Sequence, residues 1–189
     1  MFNIGMNDNS LIPRYIAVVA VFAALQAAVQ LSMGPWLIIP GVPASTLPFL
    51  AFPCALVAAV TYAAVRMKMG AVGLSLLIGG FLAFMVVAFW PVLFQFIVAA
   101  LIAEIYITIT KIFHINANKS FFFILGGIIM FGRALGFMLG VYVFLPFAFE
   151  RFITLESLSL FFSWAIALSF IVGGLGGLAG YRISKRVIK

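Results

Sequence analysis

Four polar side chains interrupt the apolar runs of this chain: Gln30, Gln95, Glu104 and Arg133. Arg133 stands at the middle of the apolar stretch 121–146. A guanidinium keeps its charge and presents five donors in a fixed fork, which suits a carboxylate, a phosphate or a carbonyl. Glu104 is the one acid inside the long apolar run 71–112. Gln30 and Gln95 bring carboxamides, which both donate and accept. These groups can bind and orient a ligand, but they do not make a catalytic set. The only histidine, His114, falls in a short polar loop and is expected to be solvated. The lone Cys54, in an apolar run, is expected to be a buried inert thiol that forms no internal disulfide. The four acids are dispersed, and no metal-ligand cluster, G-x-S-x-G motif or phosphate loop occurs. The sequence therefore points away from an enzyme, and toward neither a metal nor a cofactor.

What must position these groups is a membrane bundle. Hydrophobic residues make up 66% of the chain and charged residues 8%, against about 25% charged in a soluble domain. There is too little polar surface to cover a globule, so the chain reads as an integral membrane protein. The net charge of +7 is spread singly between apolar runs. With no basic patch interleaved with aromatics, nucleic acid is not an expected partner. The first residues carry no basic n-region, so the first apolar run is read as a span and not as a cleaved leader.

Pro, Gly and charge breaks divide the chain into six helices, expected at about 15–33, 47–65, 71–89, 91–112, 121–145 and 158–181. About 20 apolar residues cross a hydrocarbon core. Residues 1–13 read as a loose polar N-terminus, 14–182 as the six-helix transmembrane domain and 183–189 as a basic tail. Residues 34–46 form a loop rich in Gly and Pro but also apolar, holding Trp36. The run 71–112 is twice one span and must turn, and Trp90-Pro91 is its strong break. The fold class is thus an all-α membrane protein, six helices in one bundle.

The positive charges set its orientation. Arg14, Arg66, Lys68, Lys111, Lys119, Arg182, Lys185, Arg186 and Lys189 fall in one alternate set of segments, and only Arg151 in the other. By the positive-inside rule both termini are cytoplasmic.

With that orientation Gln30, Trp36, Trp90, Gln95, Tyr142 and Trp164 all lie toward the outer face, above Arg133. Two readings compete. One is an aromatic belt at the headgroups. The other is an outward-facing pocket with aromatic walls and Arg133 as its floor, with Gln30 and Gln95 needing partners away from lipid. Glu104 is expected in the inner half, about four residues or roughly 6 Å from Arg133 in depth. That separation allows an ion pair joining helices 4 and 5, or leaves Arg133 to meet an anionic or carbonyl group of a substrate. An intramembrane ionisable residue is a functional candidate by default.

Small residues mark close helix contacts. Gly132, Gly136 and Gly140 recur beside Arg133. Helix 1 carries Ala20, Ala24 and Ala28, with Ala23 and Ala27 beside them, and helix 6 carries Gly173/Gly177 and Gly176/Gly180. Such stripes serve bundle packing or the docking of a partner.

In order and spacing these features resemble the substrate-binding S component of an energy-coupling factor (ECF) transporter. The resemblance rests on Ala20-Val-Phe-Ala-Ala-Leu-Gln-Ala-Ala, the long apolar loop 1, Ile78-Gly-Gly-Phe-Leu-Ala-Phe, Ala100-Leu-Ile-Ala-Glu104 and the ending Gly173-Gly-Leu-Gly-Gly-Leu-Ala-Gly180 before basic residues. The last three are similar to the Trep_Strep group of S components. The resemblance implies a multi-pass protein of a prokaryotic cell (inner) membrane that captures a vitamin-like small molecule near the outer face, with loop 1 as a lid. It further implies partners: a transmembrane coupling subunit and two ATPases, with Ala20, Ala23, Ala24, Ala27 and Ala28 as the docking face. The alternatives are a structural or assembly membrane protein without a ligand, and a small stand-alone secondary transporter.

Overall fold

The computed structural model describes residues 11–33, 46–65, 68–144 and 155–187, with side chains described at 13, 15–32, 50–65, 68–144 and 165–186. Among them the chain is all-helical: α1 (Leu11–Met33), α2 (Thr46–Ala64), α3 (Ala71–Val87), α4 (Trp90–Ile112), α5 (Lys119–Phe144) and α6 (Leu155–Val187). Four segments are long and apolar enough to cross a membrane: Tyr15–Ser32 in α1, the whole of α4 and α5, and Ala165–Arg186 in α6. The apolar lengths described for the other two, Leu50–Ala64 and Ala71–Val87, are shorter. The six helices follow the expected order, but α1 begins at Leu11, within the stretch 1–13 expected to be a loose N-terminus. The basic C-terminal stretch differs from expectation, because α6 continues as helix to Val187 and so takes up most of the expected tail.

The break at Trp90-Pro91 has a local cause. Ala88 adopts a left-handed conformation (φ 51°) and its N–H closes α3 on the Phe84 carbonyl at 2.7 Å. Phe89 is extended, and Pro91 then sits in the first turn of α4, where a missing N–H costs nothing. At the other end of α4, His114 takes a positive φ of 53° and turns its ring Nδ1 to the Lys111 carbonyl at 3.0 Å. It is exposed, as expected, and ends the helix. Asn118 then starts α5, its Oδ1 accepting the Phe121 N–H at 3.0 Å.

Glycines set how closely the helices approach. A Cβ at Gly132, Gly136 or Gly140 would stand 2.8 Å from Ala99 Cα, 2.7 Å from Gln95 Cα and 2.7 Å from Pro91 Cα. The glycine stripe of α5 therefore faces α4, antiparallel and in one register. On α6, Gly173 and Gly177 meet Gly126 and Phe122 of α5, while Gly176 and Gly180 meet Phe52 and Ala59 of α2. Both stripes of α6 are internal packing. Around the bundle the neighbours run α1, α3, α4, α5, α6, α2 and back to α1, and α2 also touches α3 and α5.

The helices alternate in direction, so the start of α1 and the end of α6 share one end of the bundle. An aromatic cluster fills that end. Tyr62 and Tyr106 both stack on Phe121 at 5.5 and 5.3 Å between ring centroids, and Phe122 packs on Tyr181 at 5.1 Å.

Candidate functional site

Arg133 is fully buried, the largest side chain in the protein to be so among the described residues. Three helices besides its own supply its partners. Its Nε and Nη2 both donate to Gln95 Oε1 on α4, at 3.3 and 3.1 Å. Nη2 also donates to Gln30 Oε1 on α1. Nη1 donates to Cys54 Sγ on α2 at 2.6 Å. The guanidinium carbon lies 4.3 Å from the centroid of the Phe96 ring, a cation–π contact from α4. Helix α3 acts indirectly, since Gly80 lacks the side chain that would strike Phe96 and so leaves room for the ring beside the charge.

Each group is delivered by a recognisable local pattern. On α1, Ala23, Gln26, Ala27 and Gln30 form one stripe at helical spacing, and the first three are buried. Ala23 and Gln26 press on Gly79 of α3, whose Cβ would stand 2.8 Å from the Ala23 carbonyl oxygen. On α4, the close approach at Gly136 brings Gln95 against α5, where its side chain reaches Arg133. Two buried polar atoms among the described residues have no hydrogen-bond partner, Gln26 Oε1 and Ser169 Oγ. Gln26 holds the Cys54 carbonyl through its Nε2 at 2.9 Å, on the residue whose thiol meets Arg133. Ser169 stands one turn before Gly173, which packs on Met130 of α5, so it belongs to the same layer of the bundle.

The structure thus joins Arg133, Gln30 and Gln95 as the sequence suggests, and it parts Arg133 from Glu104. The carboxylate of Glu104 accepts the Gly70 and Gly73 N–H groups at 2.9 and 2.8 Å. It caps α3, whose first N–H groups have no partner within the helix and carry its positive dipole end. Gly73 must be small for this, because a Cβ there would stand 2.7 Å from Glu104 Cγ. The α4–α5 register explains the separation. Ala99 opposite Gly132 places Glu104 level with Gly127, six residues and about 9 Å from Arg133 along the helix. The ion pair anticipated between helices 4 and 5 is replaced by this cap, and Arg133 has no carboxylate partner among the described residues.

Of the aromatic walls anticipated around Arg133, Trp90 and Tyr142 are not gathered there. Trp90 is 47% exposed and stacks on Phe144 at 5.3 Å between centroids. Tyr142 is 67% exposed. Both lie on the outside of the bundle, the geometry of an aromatic belt. Trp36, loop 1 and the Trp164 side chain fall outside the described residues. The alanines of α1 divide: Ala23 and Ala27 are buried, while Ala20, Ala24 and Ala28 are exposed on the adjoining face of the helix.

The sequence assigns three contributors no place in the site; it reads Cys54 as an inert thiol, and here that thiol accepts from Arg133. Gln26 had a signal, since it precedes Gln30 by four residues and so shares its face. Cys54 and Phe96 had none, being apolar residues in apolar runs.

The arrangement can hold an anion or a strongly polarised oxygen. It presents one permanent positive charge, carboxamides on two sides and an aromatic face, in a setting where water cannot screen them. No metal-ligating group of three or more His, Cys, Asp or Glu occurs among the described residues. No protein-family model matches the chain, and neither a curated protein nor a solved structure matches it.

Proposed function

We propose that this chain is a substrate-binding membrane subunit of an ECF-type importer. It would cross a prokaryotic cell membrane six times with both termini in the cytoplasm. It would take up a vitamin-like small molecule from the outer side and pass it inward with a coupling subunit and two ATPases. One observation carries the reading: Arg133 is fully buried and is met by the neutral groups of Gln30, Gln95 and Cys54. A charge near the bilayer midplane costs at least roughly 2.5–3.5 kcal/mol on insertion scales. Neutral carboxamides offset that cost less well than a carboxylate, and a bound substrate offers a reason for keeping the charge.

Two further features support the reading. Ala20, Ala24 and Ala28 form an exposed small-residue face on α1, suited to the close approach of another transmembrane helix, and the resemblance assigns that face to the coupling subunit. The nine-to-one distribution of positive charges supports cytoplasmic termini.

A structural protein without a ligand is the second reading. It is favoured by how many of the Arg133 donors already have partners within the bundle. Mass spectrometry of small molecules co-purifying with the protein separates the two. A molecule at near-stoichiometric amount supports the binding subunit, and a clean protein supports the structural reading. Uptake into liposomes holding this chain alone would instead indicate a stand-alone transporter.

A further inference from the structure

We infer that the Arg133 site takes a small organic anion, a carboxylate or phosphate bearing at least one hydrogen-bond donor, and that Gln30 and Gln95 are placeholders which the anion displaces. The inference rests on the binding-subunit reading and narrows its substrate class.

The first ground is charge. Glu104, the only acid whose side chain is described, is committed to Gly70 and Gly73. Arg133 therefore rests on carboxamide oxygens and a thiol. A carboxylate or phosphate brings to the guanidinium a full negative charge and a bidentate fit, both of which a neutral carboxamide oxygen lacks. It would displace a carboxamide from the same donors. A neutral substrate would gain nothing over the glutamines already in place, and a cationic one would be repelled.

The second ground is independent of the charge. Gln26 Oε1 is fully buried and unpartnered beside Cys54. A buried carbonyl oxygen without a donor is uncommon and costly. An N–H or O–H on the ligand would satisfy it.

The third ground is the way the glutamines are mounted. Gln95 Oε1 accepts from both Nε and Nη2, occupying with one neutral atom the edge of the guanidinium that a bidentate oxyanion prefers. Gln30 is only partly buried and lies in the last turn of α1, from which its side chain can swing clear. A carboxamide leaving Arg133 releases no charge into the membrane, so the exchange replaces neutral contacts by a neutralising one.

The test uses the purified protein in nanodiscs of zwitterionic lipid, which supply no anionic headgroup. It is dialysed to equilibrium against the small-molecule fraction of yeast extract, and the retained molecules are identified by mass spectrometry. The wild type should enrich a carboxylate or phosphate. Gln95→Glu supplies an internal carboxylate to Arg133 and should lower that enrichment tenfold or more while melting no earlier than the wild type. Arg133→Gln, if it folds, should do the same. Enrichment of a neutral or cationic molecule would overturn the inference and leave the binding reading standing. So would undiminished enrichment by Gln95→Glu. Failure of the folded wild type to enrich anything would overturn both.

Discussion

Gly136 of α5 and Gln95 of α4 lie so close that a Cβ on the glycine would stand 2.7 Å from the Gln95 Cα, and 2.5 Å from the Phe94 carbonyl oxygen. The contact does two things at once. It packs α4 onto α5, and it brings the Gln95 carboxamide within reach of the Arg133 guanidinium one turn away. Because the obstructing atoms are backbone, they cannot swing aside. Gly136→Ala should therefore push the helices apart and cost about 1–3 kcal/mol, the usual penalty of overpacking. A thermal melt in detergent reads this as a lowered midpoint, and an unchanged midpoint would show that the two helices yield without cost.

Glu104 gives the opposite kind of prediction. It holds two N–H groups at the start of α3 and lies well away from Arg133. Glu104→Ala leaves those groups without an acceptor and should cost about 1–2 kcal/mol of stability, as the loss of a helix cap does. Ligand affinity in the folded fraction should stay at the wild-type value. An affinity loss at unchanged stability would return Glu104 to the binding site.

The exposed alanine face of α1 can be tested without touching the site. Ala24→Trp adds bulk on the side of the helix away from Gln26 and Gln30. Binding by the isolated protein should be unchanged, and uptake by cells carrying the coupling module should be abolished. Full uptake by a well-expressed variant would remove this face from the docking surface.

Much of the fold is legible in the residue pattern, because Pro, Gly and charge are strong breaks within apolar runs and the helices have few other places to end. The cluster of Gln30, Gln95 and Arg133 is legible for a similar reason, since polar groups at one depth in a membrane seek one another. Glu104 is where depth alone misleads. Counting from helix ends brings it near Arg133, but the register is set by which α4 atoms fit against Gly132, Gly136 and Gly140, and that fit is a property of packing. The same limit hides Cys54 and Phe96, whose polarity or ring face matters only once Arg133 is beside them. It also hides the aromatic cluster of Tyr62, Tyr106 and Phe121, which gathers from three helices at one end of the bundle.

The claim that Arg133 is kept for a ligand, and not as a staple, separates most cleanly in Arg133→Met. Methionine fills much of the volume and removes the charge. The insertion cost of roughly 2.5–3.5 kcal/mol is thereby relieved, which offsets the loss of the hydrogen bonds to Gln30 and Gln95. The deciding measurement is the equilibrium affinity of this variant for the molecule that co-purifies with the wild type, taken with its melting temperature. A tenfold or greater loss of affinity, about 1.4 kcal/mol or more, at a melting temperature close to the wild type is the expected result. Wild-type affinity in the folded fraction, with the melting temperature collapsed, would contradict it and make Arg133 a structural residue.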